Sequence, residues 1–240
     1  MNEIAGGLQG SATLGVGQFC TNPGIVFYPR GAGGESLVAN YVEKMKETAS
    51  SPMLHQGIRK AYGEGLEALG GCEGVEVLVP ASNESGEGGC HAGACVLSTD
   101  SESFLKNERM VEEVFGPSTL LVSYENPDDL IRIADSMEGQ LTASLFGEEE
   151  GLSDFGGLLD LLETKAGRLL FNQFPTGVEV CASVVHGGPY PATTDSRSTS
   201  VGTGAILRFA RPVCYQGFPD EFLPDELKGG NPMDIARIEA

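Results

Sequence analysis

Short apolar runs alternate with helix-forming stretches along most of this chain, and that alternation restricts the fold more than any other feature. Ile25 to Tyr28, Val75 to Val79, Ala94 to Ser98, Leu120 to Tyr124, Leu141 to Phe146 and Arg168 to Phe171 are each four to six residues long and read as buried strands. Residues 35–48 and 54–69 carry apolar side chains at helical spacing with charges between them, and 101–107 and 152–164 read as further helices. Asn126-Pro127-Asp128-Asp129 marks a helix start: a capping Asn, Pro in the first turn, then acids at the positive helix end. That helix runs to about Met137. Strands alternating with helices predict an α/β domain with a largely parallel sheet flanked by helices.

The remainder is punctuation. Residues 3–19 are small and apolar and predict a helix leading into a tight turn at Cys20. Residues 82–93 are loop-like. Residues 172–199 form a long Gly/Pro/Thr/Ser stretch, and loops of that length in a compact domain are usually functional. A helix at about 201–209 and a strand at Pro212 to Tyr215 follow, before a Pro-, Gly- and acid-rich tail. No internal repeat is found.

The 240 residues are 40% hydrophobic, enough for one large domain or two small ones. A formal net charge of −19 argues against nucleic acid and against anionic membranes as partners. No apolar run reaches membrane-spanning length, and no signal peptide is evident. The six cysteines form no dense framework, so reduced thiols in a cytoplasmic protein are expected.

Two clusters can carry chemistry. Cys20 lies in Gly17-Gln18-Phe19-Cys20-Thr21-Asn22-Pro23-Gly24, where glycines leave room beside the sulfur. A nucleophilic cysteine needs access and a stabilised thiolate; by spacing alone, an inert core cysteine is the commoner outcome. The second is Glu112-Glu113-Val114-Phe115-Gly116-Pro117. A carboxylate can hold ribose hydroxyls and a ring can pack on a flat heterocycle, although a capped turn with a core Phe explains the same residues.

Together, in order, these clusters resemble the aldehyde dehydrogenase superfamily. Tyr124 to Phe146 resembles the strand–helix–strand after that family's Phe-Gly-Pro turn, and Arg168-Leu169-Leu170-Phe171-Asn172 resembles a later strand ending in Asn. Asn172 to Cys181, His186-Gly187-Gly188-Pro189-Tyr190-Pro191-Ala192-Thr193 and Arg211 to Gln216 are similar to the branch of 2-oxoglutarate semialdehyde dehydrogenases and NADP-dependent fatty aldehyde dehydrogenases.

The resemblance implies an NAD(P)-dependent oxidation of a small-molecule aldehyde, with 2-oxoglutarate semialdehyde as the first choice and a fatty aldehyde as the alternative. Cys20 is implied as the nucleophile, passing through a thiohemiacetal and a thioester. Glu113 is implied to hold the nicotinamide ribose of NADP or NAD, and Phe115 to lie beside the nicotinamide. Phe19 and Thr21 are implied to line the aldehyde channel, with Phe174, Pro175 and Thr176 at its mouth. Residues 1–210 correspond to the catalytic domain and 211–240 to a C-terminal oligomerisation strand and tail, implying a homo-oligomer for the full-length protein.

The family's cofactor domain precedes the nucleophile, and only nineteen residues do so here. No Glu-Leu-Gly-Gly segment supplies a general base, and the asparagine of the oxyanion hole is also expected upstream. The chain is therefore read as truncated and expected to be inactive or nearly so by itself; an inactive fragment with only an assembly role is the alternative.

Other motifs fail their context. Gly63-Glu64-Gly65-Leu66-Glu67-Ala68 follows no strand, so it is not read as a dinucleotide loop. Cys90-His91 and Cys95 lack a second ligand pair, and no metal site is predicted. His186 is read as part of a substrate loop; a Cys20–His186 dyad, making a cofactor-free thiol esterase, is the alternative. Arg197 is read as a local turn with Asp195.

Overall fold

The computed structural model describes residues 1–82 and 89–238. The regular elements are α1 (Asn2–Thr13), β1 (Ile25–Pro29), α2 (Ala32–Lys46), β2 (Ser51–Pro52), α3 (Gln56–Gly70), β3 (Glu76–Val79), β4 (His91–Ala92), β5 (Cys95–Asp100), α4 (Ser101–Lys106), β6 (Ser118–Tyr124), α5 (Pro127–Ser136), β7 (Gln140–Leu145), α6 (Gly156–Lys165) and β8 (Ala166–Phe171).

The central sheet has the order β1-β6-β5-β3. β1 and β5 run parallel to β6, and β3 is an antiparallel edge. β7 and β8 form a parallel pair, and β2 and β4 a short antiparallel one. The α/β, mostly parallel design follows from the sequence. Leu120-Leu121-Val122 is a continuous apolar run because β6 is buried on both faces. Leu121 joins Val96 against Ala5, Leu8, Tyr41 and Met45 of α1 and α2. Leu120 and Val122 face Leu97, Phe104, Met110 and Ile133 on the other side. Asp129 accepts from the Asn126 backbone N–H at 3.3 Å, closing the α5 cap that the sequence signals.

Three local expectations change. The helix foreseen at about 201–209 is a 3-10 turn, Thr203–Phe209. Pro212 to Tyr215 forms no strand among the described residues; its residues are exposed, and a strand exists only where another backbone pairs with it. In the loop-like 82–93 segment, His91–Ala92 is a short strand, while 83–88 lie outside the described residues.

Two compact units divide near residue 205. The first contains all the strands named above. In the second, starting at Ile206, the 3-10 turns Asp220–Phe222 and Asp225–Leu227 are held by side chains. Arg237 donates to the carbonyls of Lys228 and Gly229 at 2.7 and 3.0 Å, and Gly229 N–H donates to Asp220 at 2.6 Å. Among the described residues no helix is long and apolar enough to cross a membrane.

Candidate active site

After α1 the chain reverses through three consecutive residues with left-handed backbone: Gly15 (φ 56°), Val16 (φ 59°) and Gly17 (φ 67°). For the β-branched Val16 this costs of order 1–3 kcal/mol, offset by packing against Met53, Tyr62 and Ala92. Gly17 cannot be another residue. A Cβ there would run into the carbonyl carbon and oxygen of Gly116. The turn that carries Cys20 is thus pressed against the Phe115-Gly116-Pro117 turn.

Side chains pin that contact. Asn22 Nδ2 donates to Gly17 O at 3.0 Å and Gly116 O at 2.7 Å. Thr119 donates to Pro23 O at 3.2 Å, which leaves the Tyr41 hydroxyl to donate to Thr119 at 2.8 Å. Burial raises the pKa of Tyr41 well above the ordinary phenol range, so it stays a donor.

The Cys20 thiol is exposed, and its Sγ lies 3.2 Å from His186 Nε2. His186 is placed by its own loop: its N–H donates to Thr199 Oγ1 at 2.9 Å, and its carbonyl accepts from Ser200 N–H and Oγ at 3.0 and 2.8 Å. The next two glycines let this loop lie on the β7–β8 pair. A Cβ at Gly188 would strike Gln140 O, and Gly187 O occupies the space a Gly167 side chain would need. Cys20 and His186, paired by the sequence only as an alternative, are thus brought within hydrogen-bonding distance.

The implied channel residues divide into two kinds. Phe19 stays exposed at 36%, with its ring over Gly15. Thr21 is 4% exposed, and its hydroxyl donates to Pro175 O at 2.9 Å, so it ties loops together rather than facing a channel. Thr176 bonds Ser11 and donates to Thr21 O at 3.3 Å. The Phe174 ring covers Gly7 and stacks at 4.6 Å on Phe146, and Pro175 is buried. Glu113 is exposed and Phe115 half-buried, just before Gly116. An open carboxylate two residues from a ring suits a sugar hydroxyl and a flat heterocycle. Arg197 does pair locally with Asp195, at 3.0 Å. Sequence reasoning missed Asn22, although it stands inside the quoted cysteine motif, and Arg168, whose guanidinium reaches Pro175 O at 2.7 Å.

No family model matches the chain. It is, however, 43% identical over 237 residues to alpha-ketoglutaric semialdehyde dehydrogenase 2 of Azospirillum brasilense, an alignment covering 99% of the chain and 45% of that protein. Over nearly its whole length the chain is similar to part of a semialdehyde dehydrogenase. Its fold agrees. Delta-pyrroline-5-carboxylate dehydrogenase from Mycobacterium tuberculosis superposes with a TM-score of 0.72 at 18% identity, over 93% of this chain and 43% of that one. A Sinorhizobium meliloti protein solved in complex with NAD gives 0.70 at 15% identity, over 87% and 43%. The chain therefore spans somewhat less than half of each of these proteins.

Proposed function

We propose that this chain is the catalytic-cysteine portion of a nicotinamide-dependent aldehyde dehydrogenase acting on a semialdehyde of the 2-oxoglutarate semialdehyde class. One observation carries the reading: an exposed Cys20 thiol, 3.2 Å from His186 Nε2, on a turn locked to the Glu113–Pro117 segment. The substrate class draws on the name of the 43% identical relative; a fatty aldehyde is the alternative.

His186 Nε2 accepts the Cys20 proton, and the thiolate adds to the aldehyde carbon while the carbonyl electrons move to oxygen. The Cys20 backbone N–H offers that oxyanion one donor. Glu113 and Phe115 would hold the nicotinamide end of NAD or NADP, which supplies hydride acceptance when bound. Water then hydrolyses the acyl thioester on Cys20. The 240 residues contain no Glu-Leu-Gly-Gly base segment, so NAD(P)H formation by this chain alone is expected to be at or near background.

Acyl chemistry is testable without cofactor. An activated ester such as p-nitrophenyl acetate should release a burst of about one equivalent and leave the acyl group on Cys20 by mass spectrometry. A burst that survives Cys20→Ala contradicts the proposal. The 3.2 Å pair also favours a second reading, a cofactor-free thiol esterase; sustained turnover after the burst would select it. Homo-oligomerisation through the exposed Pro212 to Tyr215 segment and a cytoplasmic setting for six free thiols belong to the same proposal. A monomer on sizing chromatography would remove the first.

A further inference from the structure

We infer that Arg168 is a positioning residue for Cys20, acting through the carbonyl of Pro175. The inference rests on Cys20 being the nucleophile. Arg168 lies on β8, and its Nη2 donates to Pro175 O at 2.7 Å; both Nη atoms also reach Gly177 O at 3.5 Å. The chain carries 34 acidic residues, yet among the described residues this guanidinium is in none of the ion pairs. Its Nε is buried and unpartnered. A buried donor left without a partner is costly, so the placement of the head group is set by the two loop carbonyls.

Pro175 O is a shared acceptor. It takes Arg168 from one side and the buried Thr21 hydroxyl from the other, at 2.7 and 2.9 Å. A carbonyl has two lone pairs, and both are used. The next residue, Thr176, shares its hydroxyl proton between the carbonyls of Ser11 and Thr21, at 3.2 and 3.3 Å. Loop 175–176 therefore grips residue 21 at its side chain and its backbone, and Arg168 holds that loop from behind. Residue 21 directly follows the nucleophile, so a shift of the loop is passed to the Cys20–His186 geometry. A planar guanidinium with donors on both Nη atoms spans two carbonyls; an ammonium is a single compact point.

The test uses the 240-residue chain with Arg168→Met, Arg168→Lys, Thr21→Val and the Arg168→Met/Thr21→Val double variant. The second-order alkylation rate of Cys20 with iodoacetamide at neutral pH is followed by peptide mass spectrometry, and buried Cys95 reports on folding. Arg168→Met should slow Cys20 by about five- to tenfold with Cys95 still protected, since displacements near 1 Å cost up to ~10² in rate. Arg168→Lys should recover part of the loss. Thr21→Val should show a similar loss, and the double variant no more than the larger single effect, because both act through one carbonyl. A Cys20 rate within twofold of wild type in Arg168→Met, or effects that multiply in the double variant, would overturn the inference. If Arg168→Met also opens Cys95, Arg168→Lys decides: slower Cys20 with Cys95 closed supports it, an unchanged rate overturns it. Wild type that labels all its thiols alike removes the nucleophile reading itself, and this inference with it.

Discussion

Cys95 begins β5 at 3% exposure, inside the cluster of Leu97, Leu120 and Val122, where burial pushes its thiol up to about 11. Cys20 stands exposed on an irregular turn with an imidazole nitrogen 3.2 Å away. β5 is held by ladders to β3 and β6, so its backbone is satisfied without side chains. The Cys20 turn has no ladder. It depends on three left-handed residues, on Asn22, Thr21 and Thr119, and on a glycine that fits only because it has no side chain. A regular backbone buries a thiol and silences it; an accessible thiol in a fixed position needs an irregular backbone fixed by side chains.

The sharpest way to break this contrast is Gly17→Ala. Both its φ of 67° and the collision with Gly116 oppose a Cβ, so a loss of about 3–5 kcal/mol is expected in urea unfolding. A loss below about 1 kcal/mol would mean that the two turns are not tightly joined.

The buried side of the contrast is visible in pH. The folded state keeps the Cys95 proton up to about pH 11, whereas the unfolded chain releases it near the ordinary value of 9.0. The proton-linked stability is therefore complete below pH 9 and declines between 9 and 11, by about 2–3 kcal/mol. Tyr41 and Tyr62, also raised by burial, steepen the decline above pH 10, so the difference between wild type and Cys95→Ala across this range isolates the thiol. Parallel stability curves for the two proteins would show that Cys95 is not protected.

A smaller effect is expected of Asn22→Ala, which removes the donor to Gly17 O and Gly116 O. The expected loss is about 1–2 kcal/mol, with Cys20 labelling slowed while Cys95 stays closed. Smallest is Cys181→Ser. That thiol is exposed and its pKa lowered by hydrogen bonding with Ser183, yet nothing positions it against a histidine. Its replacement should leave stability within about 0.5 kcal/mol and the Cys20 rate unchanged.

Much of the fold was legible because it is written locally. The continuous run in β6 and the Asn126-Pro127 start of α5 need only neighbouring residues to be read. The glycines around Cys20 and before Pro117 were legible as close approaches, but not that they approach one another. The supports of the site are long-range: Thr21 meets Pro175 across 154 positions, and Cys20 meets His186 across 166. No periodicity reports such pairs, so His186 was visible only as an alternative and Arg168 only as a strand residue. Pro212 to Tyr215 has the apolar character of a strand, but a strand is a property of a pair, and among the described residues no partner backbone meets it.

The central claim is that Cys20 is the thiol prepared to react. Treating the folded chain at neutral pH with about one-tenth equivalent of iodoacetamide and mapping the label tests it most directly. The account predicts that Cys20 carries most of the label, that His186→Ala lowers its share, and that Cys95 carries essentially none. Label spread evenly over the exposed Cys20, Cys181 and Cys214 would contradict it.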